Sequence, residues 1–86
     1  MPSERKTAIV TGAASGMGHA MAVGLSRAGF DVLAVDRNAS GLATLPDPNR
    51  QLTADLAQPA SFDAIVSEAL GAFGRIDVLV NNAGIG

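Results

Sequence analysis

The chain has 86 residues, a formal net charge of −2 and 48% hydrophobic content, a composition that belongs to globular α/β proteins and excludes disordered and fibrous classes. So slight an acidic charge gives no attraction for nucleic acid or an anionic membrane, and the absence of cysteine excludes disulfides and thiolate zinc sites. The segment "MPSERK" lacks the apolar core of a secretory signal and no apolar run approaches the roughly 20 residues of a membrane span, so a cytoplasmic location is expected.

In chain order, Thr7-Ala8-Ile9-Val10 is a short β-branched apolar run, suited to a buried parallel strand. The glycine-rich stretch "TGAASGMG", Thr11 to Gly18, follows directly. From Gly16 the period becomes helical: Met17, Met21, Leu25 and Ala28 form one stripe, expected to face the core, with the lone His19 expected on the solvated side. Gly29 stands where a helix ends, and Gly24, inside the helix, suggests close packing against a strand. Phe30 to Asp36 reads as a second strand ending in an acid. Arg37 to Leu45 holds a short helix stopped by "PDPN", and Gln51 to Asp55 is a third, weaker strand. Pro59 suits the first turn of a helix whose stripe is Phe62, Ile65, Val66, Ala69 and Phe73, capped by Gly74. Ile76 to Val80 is the fourth strand, leading into "NNAGIG". Alternating strands and helices predict a doubly wound parallel sheet of the Rossmann type, in strand order 3-2-1-4.

A glycine loop between a strand's carboxyl end and a helix N-terminus is built to receive an anion, because free N–H groups and the helix dipole point outward there. The same spacing also fits a tight strand–helix turn with no ligand. Asp36 shifts the balance. It lies 18 residues beyond Gly18 at the end of the next strand, where a carboxylate accepts hydrogen bonds from both hydroxyls of an adenosine ribose. That pairing points to a dinucleotide, and to NAD over NADP because a 2′-phosphate would face Asp36. Arg37, next in sequence, softens that exclusion. The loop has no lysine at its end and so does not match the phosphate loop of ATPases.

With "TGAASGMG" after the first strand, Asp36 after the second, "ADL" (Ala54 to Leu56) after the third and "GRIDVLVNNAG" (Gly74 to Gly84) around the fourth, the sequence resembles the short-chain dehydrogenase/reductase family over residues 6–86. The resemblance implies that Gly12, Gly16 and Gly18 line the pyrophosphate and adenosine side of the cofactor, with contacts from Ser15 and Met17. It implies that Asp36 holds the ribose and that Asp55 and Leu56 flank the adenine, Asp55 through its amide nitrogen. Asn82, Ala83 and Gly84 would pass near the ribose and phosphates, while Asn81 or Asn82 ties the fourth strand to its neighbours.

Family members move a hydride between a nicotinamide cofactor and an alcohol or ketone, using a tyrosine, a lysine and a serine that follow "NNAG". This sequence has no tyrosine, and its only lysine, Lys6, precedes the first strand. The expectation is therefore that residues 1–86 form the amino-terminal half of a dinucleotide-binding domain, inactive alone, with no catalytic or metal-binding residues of its own. Full-length relatives are expected to be homo-oligomers. A non-catalytic NAD-binding module, or an interaction fragment docking through the apolar edge of the fourth strand, are the alternatives.

Overall fold

The computed structural model describes residues 5–14, 16–45 and 50–82. Seven elements follow one another: β1 (Thr7–Thr11), α1 (Gly16–Arg27), β2 (Asp31–Asp36), α2 (Ala39–Leu42), β3 (Arg50–Thr53), α3 (Ala60–Phe73) and β4 (Val78–Val80). Every strand pairing is parallel and the order is β3-β2-β1-β4, as the alternation predicts.

The two central strands carry the core because helices cover both of their faces. All five residues of β1 are buried, and Val32 to Val35 are buried in β2. Successive residues feed opposite layers. Val10, Val32 and Ala34 pack with Ala22 of α1 and Leu42 of α2, whereas Ile9, Leu33 and Val35 pack with Ile65 and Ala69 of α3. The crossovers thus change sides after β3, as right-handed connections must when the chain jumps from the sheet's edge back past its first strand. That reversal leaves a switch point between β1 and β4, at whose carboxyl ends ligands of open α/β sheets bind.

Several side chains depart from expectation. The buried arc of α1 is Gly18 and Ala22, with Val23 and Leu25 packed at its margin, so the methionine stripe is not the core face. Met17 is 70% exposed and Ala28 is also exposed. Small residues four apart let the helix backbone settle onto the sheet, which rotates the larger side chains to the flank. Gly24 is exposed and an added Cβ would meet nothing within 4 Å, so no strand packs against it. His19 is half-buried, and its Nε2 makes an exposed contact of 3.1 Å with Thr44 Oγ1. In α3 the buried residues are Ile65 and Ala69, with Phe73 packed beside them, while Phe62 and Val66 are 51% and 41% exposed. Gly74 closes α3 in the left-handed conformation, its N–H donating to Leu70 O at 2.9 Å. The third strand is displaced by a residue or two from its expected span, leaving Asp55 in the following turn. "PDPN" lies outside the described residues.

At the amino ends of the strands, Asp77 staples β4 to β1. Its Oδ2 accepts from the Thr7 N–H and from Arg75 Nε, each at 2.8 Å, and its Oδ1 accepts from Arg75 Nη2 at 2.7 Å. The Arg75 hydrogen bonds, then the Thr7 N–H, hold the Asp77 carboxyl below its ordinary value of 3.8. A carboxyl depressed in the folded state leaves the unfolded chain binding more protons in this range. Its stabilisation is therefore complete above 3.8 and lost as pH falls through the depressed folded value. Urea unfolding midpoints are expected to fall on acidification in this window, and less steeply in Asp77→Asn. Parallel slopes for the two proteins would show that the staple does not stabilise the fold.

Candidate functional site

The loop that follows β1 owes its path to two glycines of one kind and a third of another. Gly12 and Gly16 have φ of 66° and 61°, the left-handed region that side chains disfavour. Gly18 lies in the first turn of α1 with ordinary helical φ, and there it is space that matters. A Cβ on Gly18 would collide with the Gly12 carbonyl oxygen and come within 2.8 Å of Asn82 Nδ2. The start of α1, the loop and the end of β4 therefore meet at Gly18.

Between the two left-handed glycines the loop is held from β2. The Ala13 N–H donates to Val35 O at 3.1 Å, and the Ala14 N–H donates to Asp36 Oδ2 at 3.1 Å. Asp36 Oδ1 accepts from the Asn38 N–H at 3.0 Å, so the carboxylate spans the loop and the start of α2. A hydrogen-bonded carboxylate oxygen retains acceptor capacity, since two oxygens offer about four lone-pair directions. Asn38 caps α2, its Oδ1 accepting from the Gly41 N–H at 3.1 Å.

Across β1, the Thr11 hydroxyl ties down the end of β4. Its Oγ1 accepts from the Asn82 N–H at 2.9 Å and lies 3.3 Å from both Val80 O and Asn81 Oδ1. Gly12, Gly16, Gly18, Asp36 and Asn82 thus gather at the carboxyl end of the sheet. Asp55 stands at the same end beyond β3. Its Oδ1 accepts from the Ala57 N–H at 2.9 Å, and its carbonyl accepts from Ser61 Oγ at 2.7 Å. Leu56 is half-buried and packs against the core layer of Ile9, Leu33 and Val35. Arg37 and Met17 are exposed. Ser15, Ala83 and Gly84 lie outside the described residues.

The electrostatics suit an anion. α1 runs for 12 residues with no acid in its first turn, so its positive end is unopposed by the helix itself. A Cβ on Gly16 would meet nothing within 4 Å, so the backbone there is open to close approach. Among the described residues no cluster of three or more His, Asp or Glu could hold a metal ion, and no helix is long and apolar enough to cross a membrane.

Two residues that shape this site escaped sequence reasoning. Thr11 opens the glycine-rich stretch, where only the glycines carried a signal. Gly41 sits in α2, remote in sequence from the loop it touches.

The profile of the short chain dehydrogenases matches residues 6–86. The chain belongs to the short-chain dehydrogenase family. It is 38% identical over 85 residues to the 2-dehydro-3-deoxy-D-gluconate 5-dehydrogenase of Dickeya dadantii, a match covering 93% of this chain and 34% of that enzyme. The 3-ketoacyl-(acyl-carrier-protein) reductase of Brucella melitensis, solved with NADH, superposes with a TM-score of 0.86 at 42% identity, covering 94% of this chain and 35% of that one. An actinorhodin polyketide ketoreductase solved with NADPH superposes with a TM-score of 0.88 at 33% identity, over 98% and 35% of the two chains. This short-chain dehydrogenase chain spans about a third of the length of the relatives it matches.

Proposed function

We propose that these residues bind the adenosine-diphosphate side of a nicotinamide dinucleotide, as part of a short-chain oxidoreductase acting on an alcohol or ketone, and that the cofactor is NAD. The observation that carries this reading is the meeting, at the sheet's switch point, of a left-handed glycine loop, an unopposed helix N-terminus and the Asp36 carboxylate. Gly12, Ser15, Gly16, Met17 and Gly18 would approach the pyrophosphate, mainly through backbone N–H groups. Asp36 would accept from the adenosine ribose, and Asp55, through its amide nitrogen, and Leu56 would border the adenine. Asn82, Ala83 and Gly84 would pass beside the ribose and phosphates.

The relatives solved with NADH and with NADPH make either cofactor compatible with the fold. Asp36 favours NAD, because a 2′-phosphate there would bring two anions together with no water between them. Arg37 lies next to it and limits the discrimination to a preference. When bound, the nicotinamide would give or accept the hydride. Of the groups the family uses for that step, the chain has no tyrosine, and its one lysine, Lys6, precedes β1 at the far end of the sheet. Binding is thus the function assigned to these residues themselves.

Titration calorimetry of the chain with NAD, NADP and ADP-ribose tests the reading. ADP-ribose is expected to bind nearly as well as NAD, and NADP about tenfold more weakly or worse. Asp36→Ala is expected to lower NAD affinity and narrow the gap to NADP. Absence of saturable binding by NAD and ADP-ribose at about 1 mM would overturn the site, and tighter binding of NADP would overturn the cofactor choice alone.

A further inference from the structure

The glycine in α2 is not explained by its own backbone. Gly41 has no positive φ, so any residue could adopt its conformation. Its reason is steric and points at the loop: an added Cβ would lie 2.6 Å from Ala14 Cβ, 2.8 Å from Ala14 O and 3.2 Å from Ala14 Cα. Three of the loop's own atoms occupy the space, two of them backbone, and none can rotate away.

The hydrogen bonds around Gly41 show α2 fastened to both sides of the loop. Thr44 Oγ1 donates its single proton to Gly41 O at 2.7 Å. His19 Nε2 lies 3.1 Å from Thr44 Oγ1, and with the hydroxyl proton directed at Gly41 O the imidazole N–H is the donor in that contact. His19 belongs to α1, which begins where the loop ends, while Ala14 lies before it. On the sheet side, Asp36 accepts from the N–H groups of Ala14 and Asn38, joining the loop to the cap of α2. Ala14 is gripped twice, by a carboxylate at its nitrogen and by the bare Cα of Gly41 at its side chain and carbonyl.

We propose that Gly41 is a positioning residue for dinucleotide binding: by seating α2 directly on Ala14 it fixes the path of the loop, and so the direction of the N–H groups offered to the pyrophosphate. This rests on the binding site proposed above and adds a residue outside the glycine motif and outside ligand contact. It also gives Asp36 a second duty, so its replacement disturbs the loop as well as ribose recognition.

Gly41→Ala in the 86-residue chain, titrated with NAD beside thermal unfolding, tests this directly. Alanine is the better helix former, so nothing in α2 itself weakens, and the contact with Ala14 must yield. NAD affinity is expected to fall about tenfold or more while the unfolding midpoint moves by no more than about 4 °C. Ser40→Ala, an exposed change on the same helix, is expected to bind like the parent chain. Parent-like binding by Gly41→Ala would overturn the proposal. So would a fall in affinity accompanied by an unfolding midpoint lowered by more than about 4 °C, since the loss would then reflect general damage to the fold. A parent chain that binds neither NAD nor ADP-ribose is a different result, and it removes the binding site itself.

Discussion

Gly18→Ala is expected to abolish measurable NAD binding and to destabilise the chain by about 1–3 kcal/mol, the usual range for overpacking a closed site. The new methyl would run into the Gly12 carbonyl oxygen. That oxygen belongs to a residue already held at φ 66°, so the loop has little freedom to swing it aside. Asn82 Nδ2 is the easier neighbour, because a side chain can rotate. Relief must come from moving α1 outward, and α1 carries the N–H groups that the site offers. Intrinsic propensity acts in the opposite direction, since alanine in a helix is favoured over glycine by up to about 1 kcal/mol. Gly24→Ala isolates that term. It lies in the same helix with open space around it and is expected to stabilise by about 0.5–1 kcal/mol. Urea unfolding of the two variants should give shifts of opposite sign. Shifts of the same sign would mean that the Gly18–Gly12 contact does not limit the packing of α1.

The sequence made the elements and their order legible because their periods are local. Val32 to Val35 is a buried run with no helical repeat, and the spacing of Ile65 and Ala69 is helical. Gly74 marked the end of α3 for a reason equally local, its left-handed backbone. Which arc of a helix faces the sheet is a different kind of fact. In α1 the methionines were the conspicuous apolar residues, yet Gly18 and Ala22 are the ones that allow close approach. A pair of small residues four apart was the available sign, outweighed by side-chain size. The glycine pattern, Asp36 and the asparagines of "NNAG" were readable as a candidate site because each stands at or just past the end of a strand and so shares the sheet's carboxyl end. Gly41 and the His19–Thr44 contact were not readable. Each depends on residues more than 20 positions apart, brought together by a crossover whose length and angle no local pattern encodes.

The two threonines of β1 are expected to respond to the same substitution with opposite signs. Both are buried, at 2% for Thr11 and 0% for Thr7, and valine preserves the shape and β-branching of each. Thr11 Oγ1 is the acceptor for the Asn82 N–H at 2.9 Å, just past the point where the β1–β4 ladder ends at Val10 and Val80. With β4 only three residues long, this hydroxyl extends its hold to the segment that meets Gly18. Thr11→Val leaves that N–H without its acceptor and is expected to cost about 1–3 kcal/mol. Thr11→Ser, which keeps the oxygen, should recover most of the loss. Because Asn82 belongs to the proposed site, NAD binding should weaken in parallel in Thr11→Val. Thr7 Oγ1, by contrast, is buried with no hydrogen-bond partner among the described residues. Thr7→Val removes a polar atom whose desolvation no hydrogen bond among the described residues offsets, so it is expected to be neutral or to stabilise by about 1 kcal/mol. Urea unfolding of Thr11→Val, Thr11→Ser and Thr7→Val decides the matter. Equal losses in both valine variants would show that the hydroxyl of Thr11 does not tie β4 to β1.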